Sequence, residues 1–429
     1  MKYDLSSASA ASVAEATDAA IGDAEAFVAQ AVSTAEAGYH ARLEPLNRAR
    51  DTIQDAMGYG PFLSHFHPDQ EVRDAGHEAE QRMSTWMAEL VARPEVYEAV
   101  ANLDPESLEG VQRRSWEHWM RDLRRAGHGH SDDVRERVRS IQQRLVELQV
   151  RFQKNIAEYQ DHLDVPVDEL AALPPSYIAA LDPGDAPGTV RVTLDYPSYF
   201  PFLEQVGNRE LRRQLRHKYQ NRAVTENRPL LEEAIALRAE IADLLDYADW
   251  AAYSMEPKMA EPAAVAALYD SVVPGLTALG RREKVALQAL LEVDEPGAEL
   301  AQWDWRYYHD LQRTRDYGVD QNEVAEYLAL DAVIAGMLEV TGSVFGVTYA
   351  ALPDEPTWHE DVRSFRIHDA DSGEPLAVFH LDLHPREGKF THAACWNPVV
   401  RRRMSDGSAR RPVAAVAANF TRPTADTPA

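Results

Sequence analysis

The stretch Ser131-Asp132-Asp133-Val134-Arg135-Glu136-Arg137-Val138-Arg139-Ser140-Ile141, continuing through Arg144-Leu145-Val146-Glu147-Leu148 and Phe152 to Tyr159, decides the fold class. Its serine is a good N-cap, and the two aspartates that follow suit the positive end of a helix dipole. Val134, Val138, Ile141, Leu145, Leu148, Phe152, Ile156 and Tyr159 then recur at steps of three and four, so one apolar stripe runs along several helical turns. Such a stripe is a core or helix-pairing face.

Helical patterning extends on both sides. It resumes after Asn208, and Asn227-Arg228-Pro229 reads as a capping asparagine before a first-turn proline, opening a helix with Leu231, Ile235, Ile241, Leu244 and Leu245 on its apolar face. From there it continues to about Tyr349. Between lies a different texture: Leu173-Pro174-Pro175, Pro183-Gly184 and Pro187-Gly188 are turn signals, and Val190-Arg191-Val192-Thr193-Leu194 alternates like a strand. After Trp358, Val362, Phe365 and Ile367 lead into the turn Asp369-Ala370-Asp371-Ser372-Gly373 and then Leu376 to Leu383, a hairpin signal. Pro412 to Phe420 is strand or buried helix by periodicity alone. The expected architecture is mainly α with a small β-sheet near residues 360–395. Its parts are a disordered leader over 1–20, an N-terminal helical domain over 21–165, a strand and loop connection over 166–205, a helical region over 206–355, and the incomplete start of a catalytic domain over 356–429.

Composition narrows the partners. Seventy acidic residues against 44 Lys and Arg give a net charge of −26 in 429 residues. That balance argues against nucleic acid and anionic membranes, which need a basic footprint. The single Cys395 leaves no intramolecular disulfide, which fits a reducing cytoplasm. Met1 to Gly22 lacks the charged start and apolar stretch of a secretory signal, and no run approaches the roughly 18 apolar residues of a membrane span.

Several clusters could carry chemistry. His380, Asp382 and His384 alternate along the expected strand, a plausible divalent-metal set, or else a buried aspartate satisfied by hydrogen bonds between two surface or packing histidines. The pairs His65/His67 and His128/His130 read as solvated loop histidines. His77-Glu78 and His359-Glu360 are the only His-Glu steps, and neither becomes His-Glu-x-x-His, because Gln81 and Arg363 occupy the fourth positions. Arg386 and Lys389 read as a solvated or salt-bridged turn at a strand end. No phosphate loop and no Gly-x-Ser-x-Gly elbow occurs in the sequence.

The run Phe379-His380-Leu381-Asp382-Leu383-His384-Pro385-Arg386-Glu387-Gly388-Lys389-Phe390-Thr391-His392-Ala393-Ala394-Cys395 closely resembles the strand-and-turn signature of the thimet oligopeptidase, oligopeptidase A and dipeptidyl carboxypeptidase family. Ala418-Asn419-Phe420-Thr421-Arg422-Pro423-Thr424-Ala425-Asp426-Thr427-Pro428 resembles the segment that follows it. Trp303-Asp304 with Tyr307-Tyr308, Asn227 through Met259, Arg113-Arg114-Ser115 through Asn155, and Thr193-Leu194-Asp195-Tyr196-Pro197 extend the likeness from about residue 40 to the last residue.

The resemblance implies the helical first half of a two-domain zinc metallopeptidase, whose deep channel admits short peptides and whose zinc-bound water cuts them. His392, Ala393 and Ala394 would lie near bound peptide. Arg386 and Lys389 match the motif as structural residues, and His380 and His384 stand where relatives usually carry tyrosines. In the family, the segment matching Asn419 to Pro428 leads into the His-Glu-x-x-His helix, with a glutamate ligand from a later helix. Neither occurs here, so no catalytic and no metal residue is assigned, and zinc, expected for the family, is not expected to be bound by this chain alone. The expectation is a truncated oligopeptidase, inactive alone, cytoplasmic, with short peptides and a complementary C-terminal fragment as partners and neither nucleic acid nor membrane. The alternative is a non-catalytic peptide-binding protein that keeps half of the channel. An apolar patch should be exposed near residues 376–420 where the missing half would pack.

Overall fold

Ser9 opens the first helix with a reciprocal cap: its side chain accepts from the Ser12 amide, and the Ser12 hydroxyl accepts from the Ser9 amide. In this computed structural model, residues 5–157, 159–319, 324, 327–390, 392–403 and 407–420 are described. Helix α1 (Ala10–Ser33) therefore occupies half of the expected disordered leader. Val13, Thr17, Ala20, Ala24, Val28 and Ala31 form its buried stripe. Their mostly small side chains let it lie close against α2 (Glu44–Met57) and α4 (Gln70–Ala92), and α3 (Gly60–Ser64) packs on α4. Small size is obligatory at Gly76, where a Cβ would collide with the carbonyl of Gly60. Helices α5 (Pro94–Ala101) and α6 (Gly110–Arg125) complete this bundle, whose core includes Leu46, Ile53, Met83, Trp86 and Trp119.

The chain divides into two compact units, one of residues up to Ser131 together with those from Val324 onward, the other Asp132–Glu323. These limits differ from the boundaries expected at 165, 205 and 355. The second unit opens with α7 (Asp132–Ala157), the helix of the apolar stripe. Val138 and Ile141 pack against Ile241 and Leu245, at the end of α11 (Val224–Leu244), and Tyr253 of α12 (Trp250–Met255). Strands β1 (His162–Pro166) and β2 (Thr189–Thr193) pair antiparallel, with α8 (Pro175–Ala179) in the turn-rich connection. They cover α9 (Tyr196–Gln205) and α10 (Arg209–Gln220) through Val165, Val192, Phe202 and Leu215. Buried Asp304, at the start of α14 (Trp305–Tyr317), receives both Arg209 (2.9 and 2.8 Å) and Arg212 (3.2 Å). Leu287 and Leu291, near the end of α13 (Pro262–Asp294), meet Tyr308.

Helix α11 begins at Val224, so Asn227 is an interior residue and Pro229 sits in the second turn. The asparagine is no cap because tertiary contacts claim it: Asn155 donates to its Oδ1 (2.9 Å), and it donates to the Phe152 carbonyl of α7 (3.1 Å).

In the first unit, α15 (Leu330–Phe345) precedes strand β3 (Val347–Ala351), where helix was expected to persist. Strands β4 (Arg363–Asp369) and β5 (Pro375–Asp382) form the expected hairpin. Pairing then skips along the chain. After β6 (Ala394–Val399) and the short β7 (Arg402–Arg403) and β8 (Ala409–Arg410), strand β9 (Val413–Ala417) lies parallel to β5 and antiparallel to β6. The sheet order is β3-β4-β5-β9-β6, over residues 347–417. One face joins the helical core through Trp358, Ala415 and Ala417; the other packs Leu381, Leu383 and Val416 against Leu330 and Ile334 of α15.

Exposed apolar surface is concentrated on helices. Leu231 and Ile235 of α11 are exposed, as are Leu268, Tyr269, Val272, Val273, Leu276 and Leu279 of α13 and Val340, Val344 and Phe345 of α15. Near residues 376–420, only Leu376, Val400 and Phe420 are exposed large apolar side chains among the described residues. Contrary to the sequence reading, α13 is also long and apolar enough, by length and composition, to cross a membrane. Its run of alanine, valine and leucine is interrupted by single polar residues such as Asp270, which hid it from a search for unbroken apolar stretches.

Candidate functional site

The segment that delivers His392, Ala393 and Ala394 is held by one buried carboxylate. Asp382, at the end of β5, is 1% exposed. Arg386 grips both its oxygens (2.7 and 2.7 Å), Lys389 Nζ lies 2.9 Å from Oδ1, and Trp358 Nε1 donates to Oδ2 (2.8 Å). Burial pushes this carboxyl up, and the hydrogen bonds from Arg386, Lys389 and Trp358 together outweigh that, leaving it below its ordinary value.

The two cations also sew the turn to its surroundings. Arg386 donates to the Phe66 carbonyl (2.6 Å), while Lys389 donates to the carbonyls of Asp382 (3.0 Å), His384 (2.7 Å) and Ala418 (2.7 Å). Phe390 N–H donates to His65 O (2.9 Å), and Asn419 Nδ2 donates to Phe390 O (3.0 Å). Gly388 has φ +73°, a left-handed conformation that favours glycine, and a Cβ there would displace the Arg73 guanidinium. Beyond this turn, His392 and Ala393 are exposed, and Ala394 begins β6 opposite Ala417. Strand β6 pairs with β9 alone among the described residues and forms an edge of the sheet. An edge strand presents backbone donors and acceptors that an extended peptide can extend, although in β6 Pro398 has no N–H and its carbonyl lies against Gly58.

The same geometry excludes His380, Asp382 and His384 as a metal set. Both Asp382 oxygens are occupied by cations, which would repel a second positive charge. His380 Nδ1 shares a 2.8 Å hydrogen bond with Ser364 Oγ, and His384 Nδ1 lies 3.2 Å from Phe420 O. Zinc therefore does not fit here. His380 is completely buried beside Trp358, and burial pushes it down to about 4, so it is a neutral packing residue. A second cluster, His162, Asp164 and Asp185, brings ligand atoms together, but Asp185 already pairs with Arg191.

Three loop histidines depart from the solvated reading. His128 is buried, stacked on Tyr97 (4.7 Å between centroids) and bonded to Val91 O (3.0 Å). His67 is also buried, and His65 lies among Phe66, His77, Phe390 and Trp396. Trp358 and Phe66, which the sequence reading did not place at the site, complete it through an indole donor and a backbone carbonyl. Neither contact leaves a local signal in the sequence.

The sequence profile of peptidase family M3 matches residues 202–429, more than half of the chain. The chain belongs to peptidase family M3. It is 28% identical over 393 residues to a thimet-like oligopeptidase of Dictyostelium discoideum, covering 86% of this chain and 57% of that protein. Saccharolysin of Saccharomyces cerevisiae is 27% identical over 414 residues (90% and 57%), and oligopeptidase A of Escherichia coli 28% over 406 residues (90% and 59%). The chain thus spans less than three fifths of the length of these M3 relatives. The matched M3 region contains β3 to β9 and the Asp382 turn.

Proposed function

We propose that this chain supplies the peptide-docking framework of an M3 oligopeptidase acting on short peptides, and that it does not hydrolyse them alone. The observation that carries this is the edge strand β6, presented by a turn that Asp382, Arg386 and Lys389 lock in place. A peptide laid along β6 would pair by its backbone, with His392, Ala393 and Ala394 at the start of the strand beside it. The His380-Asp382-His384 geometry cannot hold zinc, and the sequence contains no His-Glu-x-x-His.

The apolar faces of α11, α13 and α15 support the same reading, each being the kind of surface that another polypeptide covers. We take that polypeptide to be the part of the relatives' length that this chain does not span. A cytoplasmic setting, with neither nucleic acid nor membrane as partner, accords with the −26 charge and the single cysteine.

Backbone recognition has its own signature. A fluorescent peptide of eight residues should bind the chain, and N-methylation of alternate peptide nitrogens should weaken binding by about tenfold or more, each lost bond to a strand edge being about 1 kcal/mol. Equal binding of the methylated and unmethylated peptides would contradict strand pairing on β6.

A further inference from the structure

A groove of about 870 Å³ lies on the first unit, walled by α1, α2, α6 and the β7–β8 hairpin. It is lined by Arg48, Arg50, Arg114, Arg402 and Arg403 with His118, against only two carboxylates, Glu44 and Asp51. Both carboxylates are engaged, Glu44 by His40 (2.6 Å) and Asp51 by Arg402 (2.9 Å). Arg402 also pairs with Asp55 (3.2 Å), which fastens the hairpin to α2.

Of the remaining guanidiniums, Arg50 and Arg114 have one carboxylate each, and Arg48 and Arg403 have none among the described residues. Arg50 is fixed 3.5 Å over the Trp119 ring and pairs with Asp122 (3.1 Å). Arg114 has Glu117 at 3.4 Å. The Arg48 guanidinium has a ring contact with Phe27, and neither it nor the Arg403 guanidinium has a hydrogen bond or ion pair among the described residues. In a chain with 26 more acidic than basic residues, and where arginines such as Arg137, Arg144 and Arg209 are paired to carboxylates, this convergence runs against composition.

We propose that this groove binds a small, multiply charged phosphate anion. Guanidinium forks match phosphate oxygens in pairs, and arginines brought from two helices and a hairpin suit a ligand carrying several charges within a few ångströms. The Trp119 face is covered by Arg50, so charge, rather than ring stacking on that tryptophan, provides recognition. This site stands independently of the peptide reading of β6.

Calorimetric titration of the 429-residue chain at low salt, with inorganic tripolyphosphate and with ATP as separate probes, tests it. Saturable binding of tripolyphosphate is expected, weakening as salt rises. Equal binding of ATP would show that phosphates alone are read, and tighter ATP binding would show that the groove also receives the nucleoside; both support the site. The Arg48→Glu/Arg114→Glu double variant, on two exposed side chains, should lose at least tenfold in affinity while keeping its thermal melt. Arg228→Glu/Arg281→Glu changes the charge equally at exposed positions outside the groove and should change affinity less than threefold. No saturable tripolyphosphate binding, or equal losses in the two double variants, would overturn the proposal.

Discussion

His380 is neutral where its environment leaves no place for charge. Its side chain is sealed among Trp358, Ser364 and the sheet, and burial lowers it from 6.5 to about 4. The unfolded chain takes up a proton at this histidine below about pH 6.5, the folded chain only near 4. Its contribution is therefore complete above pH 6.5 and is lost progressively as pH falls to 4, by roughly 3 kcal/mol over the whole interval. Urea unfolding at pH 7, 6, 5 and 4 should show this decline, with a shallower slope in His380→Gln, which keeps a polar atom for Ser364 but does not titrate. Parallel slopes would show that other groups carry the acid sensitivity. The sequence showed His380 and Asp382 on one strand face, yet it could not show that Asp382 is filled by Arg386, Lys389 and Trp358. Two of those partners lie four and seven residues on and could be suspected as a turn; Trp358 lies 24 residues back and meets the carboxylate only when β4 and β5 pair.

Elements were legible where one face alone decides their fate. The stripe from Val134 to Phe152 gave α7 because Val138, Ile141 and Leu148 are buried at helical spacing. The start of α11 was not legible, since Asn227 spends its hydrogen bonds on α7 instead of on a cap. Leu231 and Ile235 obey helical periodicity but remain exposed, which a pattern in one element cannot reveal. Helix α13 carries this furthest: Leu268, Val272, Leu276 and Leu279 follow one another at four- and three-residue steps, and all are exposed. Replacing these four with glutamine should change the unfolding free energy from urea titration by no more than about 0.5 kcal/mol per site while reducing self-association in sedimentation. A loss of several kcal/mol would instead place these side chains in a buried core of the isolated chain.

At the scale of the molecule, the fold class and the family were legible because long amphipathic helices and a continuous motif around Asp382 both survive in the sequence as local patterns. The division at residues 131/132 and 323/324 was not, because the segment from Val324 onward joins the N-terminal helices through contacts far apart in the chain, such as Arg386 on Phe66 O. The chain is an M3 member in which one buried carboxylate and two cations hold the turn that precedes the edge strand β6, with His380 packed and hydrogen-bonded beside them. The most direct test is cleavage of a quenched eight-residue peptide by the purified, folded 429-residue chain, with added zinc and with chelator. No cleavage above buffer is expected in either condition. Zinc-dependent turnover that co-elutes with the chain and is abolished by chelator would contradict the proposal that it docks peptides without hydrolysing them alone.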